Sequence, residues 1–353
     1  MSRFFTSRFS SLEPYVPGEQ PKNRDYIKLN TNENPYPPSA KAVALAREAA
    51  ESLELYSDPD CALLREKLAE LYGVSPDEVI AGNGSDEILN FAFTAFCDEN
   101  TPAVFADITY GFYPVFAEIN RVPYRQIPLK DDFTLNPSDY YGAGGTVLIA
   151  NPNAPTSLSL TMADIENIIK NNPGNIVVID EAYADFGEFS CIPLIKKYDN
   201  LIVTRTFSKS RSMAGARLGF GIASKELIAD MNTVRFSTNP YNVNSMTLAA
   251  GAGALADEEY TRDNIEKVKE TREFTASELR KLGFEMPDSK TNFLFVRHSG
   301  ISGVDFYKKM KENGILIRHF SSGRIADYNR VTIGTRAQME EFIAVAGRLT
   351  EGL

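Results

Sequence analysis

The chain has 353 residues, a length that allows one large core or two domains. Its net charge is −10, and so acidic a chain lacks the positive surface that binding to nucleic-acid phosphates requires. The sequence contains two histidines, His298 and His319, which excludes a metal site built from several histidines and leaves little scope for the most common general base.

Three cysteines, Cys61, Cys97 and Cys191, are spread along the chain without any Cys-x-x-Cys pair. Scattered thiols of this kind favour a reducing cytoplasm over a secreted protein that is held together by disulfides. The N-terminal stretch lacks the apolar segment of a secretion signal, and no run approaches the ~18 apolar residues of a membrane span. We therefore expect a cytoplasmic protein without a membrane partner.

The first predicted helices follow a loop-like N-terminal segment. Three prolines within 35–38 exclude a helix there, because proline lacks an amide donor and restricts the residue before it. Ser39 can cap an alanine-rich helix that runs to about residue 55. A second helix follows 59–60 and should end at Gly73, since glycine is favoured just past a helix end.

Short apolar runs then alternate with amphipathic segments from residue 78 to about 256. The predicted strands are 79–81, 103–106, 147–150, 176–179 and 201–204, and helical patterns cover 85–97, 109–120 and 161–171. Buried strands that alternate with helices are typical of a mostly parallel sheet covered on both faces. The remaining chain predicts an α+β unit with helices 257–282, 304–313 and 338–349 and strands 293–297, 315–318 and 330–333.

Candidate site residues follow the predicted strands, because parallel α/β sheets bind ligands at the carboxyl ends of their strands. The turn 82–87 has two glycines before a helix and suits either a phosphate or an ordinary capped turn, since Glu87 stands where a dinucleotide fingerprint needs glycine. The loop 151–157 is rigid and polar. Asp180 ends a buried strand and needs a cation there, unless it caps a helix.

The segment 205–220 carries the most informative signal. Lys209 lies beside two hydroxyl residues and eight positions before Arg217. Its amine can bond to a carbonyl carbon, and hydroxyls with a guanidinium can hold a phosphate. A solvated lysine on a basic turn fits poorly, because the neighbouring residues are small and apolar. Pyridoxal 5′-phosphate meets all of these requirements, with Asp180 available for its pyridinium nitrogen.

Four stretches resemble one protein family along essentially the whole chain. They are Ser208-Lys209 with Gly215 and Arg217-x-Gly219, the opening 29–36, the segment 240–244 and the closing 330–336. The first is specific for the fold-type I pyridoxal-phosphate-dependent aminotransferases, and the others are similar to the histidinol-phosphate aminotransferases among them. The resemblance implies an α/β fold whose large domain, 46–256, holds a three-layer, mostly parallel sheet, with a smaller α+β domain formed by 1–45 and 257–353.

The resemblance also implies roles for the residues that match the family's motifs. Lys209 would carry the cofactor and act as the base, Asp180 would pair with the pyridinium nitrogen, and Tyr183 would bind the ring oxygen. The further cofactor contacts implied are Tyr110 stacked on the ring, Gly84, Ser85, Asp86, Asn153, Thr206, Ser208 and Arg217, with Tyr56 of the partner subunit in a homodimer. The substrate α-carboxylate would bind Arg330, and Arg318 and Tyr15 are candidates for a distal phosphate.

The loop 151–157 departs from the family pattern at two positions. Ala154 stands where the family has an asparagine that donates to the ring oxygen, and Ser157 stands where it has glycine. Either Asn153 turns in to replace that donor, or Tyr183 makes the contact alone. Loss of one donor should raise the pKa of the linkage between lysine and cofactor, because the hydrogen bond favours its deprotonated form.

The resemblance implies transamination between L-histidinol phosphate and 2-oxoglutarate, which gives imidazole acetol phosphate and glutamate in histidine biosynthesis. An aromatic amino acid aminotransferase and a threonine-phosphate decarboxylase share the cofactor residues and remain alternatives. An NAD-dependent enzyme that uses the turn 82–87 and a non-catalytic binding module are alternatives from other classes. The presence of both Lys209 and Asp180 disfavours the binding module, and the NAD-dependent enzyme would predict that Lys209→Ala leaves cofactor binding unchanged.

Overall fold

The structure is a computed structural model that describes residues 2–9, 12–21, 25–321 and 323–352. The other positions (1, 10, 11, 22–24, 322 and 353) belong to the predicted small domain and lie outside the described residues. The strands are β1 (Ile27–Lys28), β2 (Val79–Gly82), β3 (Ala103–Ala106), β4 (Tyr124–Ile127), β5 (Thr146–Ala150), β6 (Val177–Asp180), β7 (Leu201–Thr206), β8 (Gly219–Ala223), β9 (Phe284–Glu285), β10 (Phe293–His298), β11 (Ile315–Leu316), β12 (Arg318–His319) and β13 (Asn329–Thr332). The α-helices are α1 (Ala40–Ala49), α2 (Ala62–Tyr72), α3 (Ser85–Phe96), α4 (Tyr113–Asn120), α5 (Met162–Lys170), α6 (Lys225–Thr238), α7 (Ser245–Leu255), α8 (Glu258–Lys281), α9 (Gly303–Glu312) and α10 (Arg336–Thr350).

The central sheet has seven strands in the order β2-β8-β7-β6-β5-β3-β4. The pairs from β7 through β6, β5 and β3 to β4 are parallel, whereas β8 is antiparallel to both β2 and β7. The five strands predicted from apolar runs are confirmed to within two residues at either end. The sequence analysis missed β4, whose first three residues are exposed and polar or aromatic, and β8, whose two glycines weaken a strand pattern.

Helices cover both faces of this sheet, as predicted. Along β5, Val147 and Ile149 pack into one apolar cluster and Leu148 into another, because successive side chains of a strand point to opposite faces. The first cluster takes buried residues from α1, α2, α5 and α7, and the second takes them from α3, α4 and α6. Burial on both sides explains why the strands are apolar without alternation.

Local signals define several helix ends. Ser39 accepts a hydrogen bond from the Ala42 amide at 3.2 Å, and Gly73 follows α2 with a left-handed φ of 64°. The first helix ends earlier than predicted, at Ala49, and continues as a 3₁₀ turn. The helix predicted from residue 109 begins at Tyr113, because the residues before it form the turn that follows β3.

The C-terminal part forms a separate antiparallel sheet in the order β12-β13-β10-β9, with a third core cluster between it and α8, α9 and α10. The strand predicted over 315–318 is divided into β11 and β12. β1 pairs with β11 in parallel, and Leu29 packs in this core, so the N-terminal segment belongs to the same unit. The predicted boundary at residue 46 lies inside α1, and the division into two domains remains a prediction.

The parallel arrangement brings the carboxyl ends of β5, β6 and β7 to one edge of the sheet, beside the start of α3. In the part of the chain that the structure describes, every helix is too short or too polar to cross a lipid bilayer.

Candidate active site

A cavity of about 250 Å³ lies at the carboxyl ends of β5, β6 and β7. Nine of the residues that sequence analysis singled out line this cavity: Ser85, Asp86, Tyr110, Asp180, Tyr183, Thr206, Ser208, Lys209 and Arg217. They come from five separate stretches of the chain, which the parallel sheet brings together.

A buried carboxyl group lies at one end of the cavity. Asp180 is 4 % exposed and accepts hydrogen bonds from the Tyr113 hydroxyl at 3.1 Å and from the Thr204 hydroxyl and the Ala182 amide at 3.2 Å each. Burial raises the pKa of Asp180 to about 6, although these donors act in the opposite direction. A cation in the cavity would therefore stabilise the ionised carboxylate.

The start of α3 forms another part of the cavity, where Ser85 and Asp86 line it. Gly84 precedes the helix with a left-handed φ of 77°, so the first N–H groups of α3 open toward the cavity. The neighbouring strand β8 comes very close, because a Cβ added to Gly219 would lie 2.3 Å from the Ser85 nitrogen. Glycine at this position is thus required for the close approach of β8 to the helix start.

A guanidinium and two hydroxyls complete this part of the cavity. Arg217 directs Nη1 to within 3.4 Å of the Ser208 hydroxyl and pairs through Nη2 with Asp86 at 3.0 Å. The Thr206 and Ser208 hydroxyl oxygens are 3.0 Å apart. Together with the α3 amides, these groups form a site for an anion with several oxygens, such as a phosphate.

Lys209 lines the same cavity. Its Nζ is 3.4 Å from the Thr31 carbonyl oxygen and 5.7 Å from the centre of the Tyr183 ring. The backbone beside it is fixed, since the Asn34 side chain donates to the Lys209 carbonyl at 3.0 Å and the Ser210 hydroxyl donates to Asp185. These contacts hold the backbone of Lys209 at the cavity.

A second cavity, of about 640 Å³, adjoins the first and shares Tyr110, Tyr183 and Lys209 with it. Arg330 and Arg318 both line this second cavity. Arg330 donates through Nη2 to the Asn30 carbonyl at 3.1 Å, but its buried Nε has no hydrogen-bond partner in the described residues. Burial lowers the pKa of Arg330, because the charged form of a guanidinium is less stable away from water.

Tyr15 covers one side of the second cavity. Its ring packs against Phe112 with centroids 4.7 Å apart. Arg318 holds the same N-terminal segment, because its guanidinium donates to the carbonyls of Val16 at 3.0 Å and Pro17 at 3.3 Å. An anionic ligand in this cavity would have the guanidinium groups of both Arg330 and Arg318 in its lining.

A family model for aminotransferase class I and II matches residues 24–345 of the chain. A histidinol-phosphate aminotransferase of Brachyspira hyodysenteriae is 48 % identical over 345 residues, which cover 97 % of this chain and 98 % of that protein. The chain belongs to the histidinol-phosphate aminotransferase branch of the class I and II aminotransferases. A second relative of the same name, from Clostridium acetobutylicum, is 45 % identical over 97 % of this aminotransferase and 98 % of its own length.

Solved structures confirm the predicted fold class of this aminotransferase. The histidinol-phosphate aminotransferase of Sinorhizobium meliloti, solved in complex with pyridoxal-5′-phosphate, superimposes with a TM-score of 0.90. The superposition covers 99 % of this chain and 98 % of that one at 23 % sequence identity. The fold is therefore that of a fold-type I aminotransferase.

Two predicted cofactor residues lie away from the first cavity of this aminotransferase. Asn153 accepts from the Thr109 hydroxyl at 2.7 Å and donates to Ile108 and Thr156 at 2.9 Å each, so its amide faces a neighbouring cavity. Tyr56 is 82 % exposed and stacks on Tyr241 with ring centroids 4.5 Å apart.

Several lining residues of this aminotransferase were not singled out from the sequence. Thr31 and Glu33 line the first cavity, and the opening motif 29–36 could have pointed to them. Tyr113 does not line the cavity but donates to Asp180 from behind it, and its place three residues after Tyr110 was the available signal. Arg324 lines the second cavity and pairs with Asp107, but nothing in the surrounding sequence indicates it.

Proposed function

We propose that this aminotransferase transfers the amino group of L-histidinol phosphate to 2-oxoglutarate, with pyridoxal 5′-phosphate as cofactor, and thereby forms imidazole acetol phosphate and glutamate in histidine biosynthesis. The observation that carries the proposal is the pairing of two cavities. Lys209 lines both cavities, with Asp180 and an anion site in the first cavity and three arginines in the second. Relatives with that name at 45–48 % identity support the choice of substrate.

The residues present fit pyridoxal phosphate. The ionised form of the buried Asp180 needs a cation, which a protonated pyridine nitrogen provides. Elsewhere in the cavity, the α3 amides with Thr206, Ser208 and Arg217 suit the phosphate group. Gly84 and Gly219 leave room there, since a Cβ at Gly84 would lie 2.6 Å from the Arg217 Nη2. Ser85 and Asp86 supply the first helical N–H groups.

When bound, pyridoxal phosphate supplies an aldehyde carbon for the amino group and a ring that withdraws electrons from the bond to be broken. Lys209 is the residue whose amine would hold it, and the same Nζ, once released, would move the proton from the substrate Cα. Asp180 would keep the ring nitrogen protonated. Tyr110, whose hydroxyl donates to Asp86 at 2.6 Å, would stack on the ring, and Tyr183 would donate to the ring oxygen.

The second cavity would select anionic substrates. Arg330, with an unpartnered buried Nε, would bind the carboxylate of glutamate or 2-oxoglutarate through two parallel hydrogen bonds. Arg318 and Tyr15 would contact the substrate phosphate. One cavity would then serve both the phosphorylated donor and the dicarboxylic acceptor, because three guanidinium groups, those of Arg318, Arg324 and Arg330, line it.

Tyr183 would donate to the ring oxygen without help from Ala154, whose side chain has no hydrogen-bond donor. The Asn153 amide already donates to Ile108 and Thr156, so turning inward would break two hydrogen bonds. Asn153 would contribute to cofactor binding only indirectly, by holding the loop 151–157 in place. The adjacent residue of that loop, Ala154, lines both cavities.

The active form would be a homodimer in which the partner subunit's Tyr56 reaches the cofactor phosphate. An apolar stretch with Leu53 57 %, Leu55 66 % and Tyr56 82 % exposed supports a partner at this surface. Small molecules would be the remaining partners. The protein would work in the cytoplasm, consistent with three buried cysteines that remain free thiols.

The two predicted domains, 46–256 and 1–45 with 257–353, would close on each other around the substrate. Arg330 on β13 and Arg318 on β12 belong to the smaller one, whereas Lys209 and Asp180 belong to the larger. Anion binding to the arginines could thus draw the small domain inward and exclude water. Identical domain orientations in free and substrate-bound crystals would contradict this closure.

A visible spectrum and three amino donors test the function. Addition of pyridoxal phosphate should give a visible absorption band that is absent in Lys209→Ala, and L-histidinol phosphate should bleach it. Among histidinol phosphate, phenylalanine and threonine phosphate, histidinol phosphate should have the highest kcat/KM with 2-oxoglutarate. A higher value for phenylalanine, or release of carbon dioxide from threonine phosphate, would instead support one of the related activities.

A further inference from the structure

Asn32 lines the second cavity and contacts Tyr183, which lines both cavities. It is 1 % exposed, and its Nδ2 donates to the Tyr183 hydroxyl oxygen at 2.8 Å. We propose that Asn32 is a positioning residue that directs the Tyr183 hydroxyl proton toward the cofactor ring oxygen. The strengthened Tyr183 hydrogen bond would compensate in part for the one that Ala154 cannot donate. This inference rests on the proposed function, because it requires pyridoxal phosphate in the first cavity.

The orientation of the Asn32 side-chain amide is fixed by Thr332. The Thr332 hydroxyl oxygen accepts the Asn32 backbone N–H at 2.9 Å, so its own proton is free to be donated. It donates that proton to the Asn32 Oδ1 at 3.1 Å. The oxygen of the amide thus faces the Thr332 hydroxyl, and the nitrogen faces the Tyr183 hydroxyl oxygen.

An amide nitrogen can donate but cannot accept a hydrogen bond. The Tyr183 oxygen is therefore the acceptor in its contact with Asn32, and the phenolic proton must point elsewhere. Tyr183 lines the first cavity together with Lys209 and Ala154. A hydroxyl that accepts one hydrogen bond is a stronger donor in the next, so Asn32 both orients and polarises it.

The backbone of Asn32 is held as firmly as its side chain. Its φ of 56° lies in the left-handed region, which asparagine tolerates better than most residues. The Asn292 amide donates to the Asn32 carbonyl at 3.1 Å. Asn292 directly precedes β10, and Thr332 is the last residue of β13. The C-terminal sheet therefore sets the direction of the Tyr183 hydroxyl in the first cavity.

A pH titration of the visible band of the holoenzyme tests the inference. Its midpoint should be lower when a donor binds the ring oxygen, because that hydrogen bond favours the deprotonated form. Asn32→Gly removes the amide and tolerates the left-handed backbone. It should raise the midpoint by roughly half to one pH unit, as expected when a hydrogen bond to a charged acceptor weakens. The charged groups around Tyr183 stay unchanged: Lys209, Arg330, Glu33 and Asp180.

A double-mutant cycle separates positioning from a structural role. Tyr183→Phe should raise the midpoint more than Asn32→Gly does, and adding Asn32→Gly to Tyr183→Phe should produce no further shift. Asn329→Gly, which removes a buried asparagine on β13 that donates to Gly303, should leave the midpoint unchanged. Ala154→Asn should restore a donor and lower the raised midpoint of Asn32→Gly.

An unchanged midpoint in Asn32→Gly, with the band intact, overturns the inference alone. The same holds if the shift keeps its full size in the Tyr183→Phe background, since Asn32 would then act by another route. A wild-type protein that develops no visible band with pyridoxal phosphate overturns the proposed function and this inference together.

Discussion

At the scale of single residues, the site depends on charged groups whose partners are incomplete. Asp180 is a buried carboxyl that accepts hydrogen bonds from two hydroxyls and an amide, and the Arg330 Nε has no hydrogen-bond partner among the described residues. Burying either charged group destabilises the cofactor-free protein, and binding of a ligand of opposite charge offsets that destabilisation. The two residues therefore give measurable predictions for the free protein and for catalysis.

Asp180 should make the cofactor-free protein less stable as the pH rises from about 4 to about 6. Burial raises the pKa in the folded state to about 6 from the ordinary 3.8, so the folded state binds the proton more tightly than the unfolded state does. Stability from this group is present below pH 4 and is lost as the carboxyl ionises, by roughly 3 kcal/mol in total. Asp180→Asn should remove this loss.

Urea unfolding of both cofactor-free proteins across pH 4–7 measures the difference. The variant should gain stability relative to the wild type as the pH rises, while its affinity for pyridoxal phosphate falls. A stability difference that does not change with pH would show that the Asp180 carboxyl is already compensated in the empty protein.

Arg330 should determine affinity for anionic substrates. Lysine keeps the positive charge but cannot make two parallel hydrogen bonds to one carboxylate, so Arg330→Lys should lower kcat/KM for glutamate by about 100-fold. Arg336→Lys is the matched control, since that arginine is half exposed and pairs with Glu340 on α10. Steady-state kinetics would contradict the assignment if both substitutions had the same small effect.

At the scale of secondary-structure elements, the anion site depends on how closely β8 approaches the start of α3. The register aligns Gly82 with Gly219, and both residues lack a side chain where the elements meet. The strand is antiparallel to its neighbours and connects Arg217 to the sheet. The position of the guanidinium is therefore set by packing between two backbones.

Gly219→Ala should destabilise the protein and weaken phosphate binding. The new Cβ would lie 2.3 Å from the Gly84 carbonyl carbon and the Ser85 nitrogen, and overpacking of this kind costs about 1–3 kcal/mol. Gly174→Ala, where nothing lies within 4 Å, should change stability by less than about 1 kcal/mol. Denaturant unfolding and equilibrium dialysis with pyridoxal phosphate measure both effects, and equal stability of the two variants would contradict the geometry.

At the scale of the whole molecule, Tyr56 lies on the surface although it is expected to bind the cofactor phosphate. It stacks on Tyr241, which is also exposed. The described chain forms the first cavity without Tyr56, which stacks outside it. An exposed aromatic surface next to exposed leucines is typical of a site that another protein chain covers.

Mixed dimers test whether Tyr56 acts in the partner subunit. Lys209→Ala and Tyr56→Ala each damage every site of their own homodimer, but a mixed dimer has one site with both residues intact. Random mixing should therefore restore up to about one quarter of wild-type activity, because half of the dimers would be mixed and each has one good site. The assay should use a cofactor concentration that saturates only the wild type. Activity equal to the sum of the unmixed variants would contradict sharing.

Much of this architecture could be predicted because it depends on local chemistry. Apolar runs predicted the central strands, Ser39 and Gly73 defined helix ends, and the surroundings of Lys209 indicated a site for a carbonyl and a phosphate. By contrast, β8 was missed, because a glycine-rich strand has a weak pattern and is selected by close packing against α3.

The sequence by itself determined the fold class, the chemical type of the site and the residues that follow each strand, since these depend on side-chain character and spacing. Tertiary structure alone decided which groups contact one another. It directs the Asn153 amide away from the first cavity and brings Asn32 and Thr332, 300 residues apart, onto the same hydroxyl network as Tyr183. Hydrogen-bond direction depends on the positions of both partners, and residues this far apart in sequence meet only when the chain has folded.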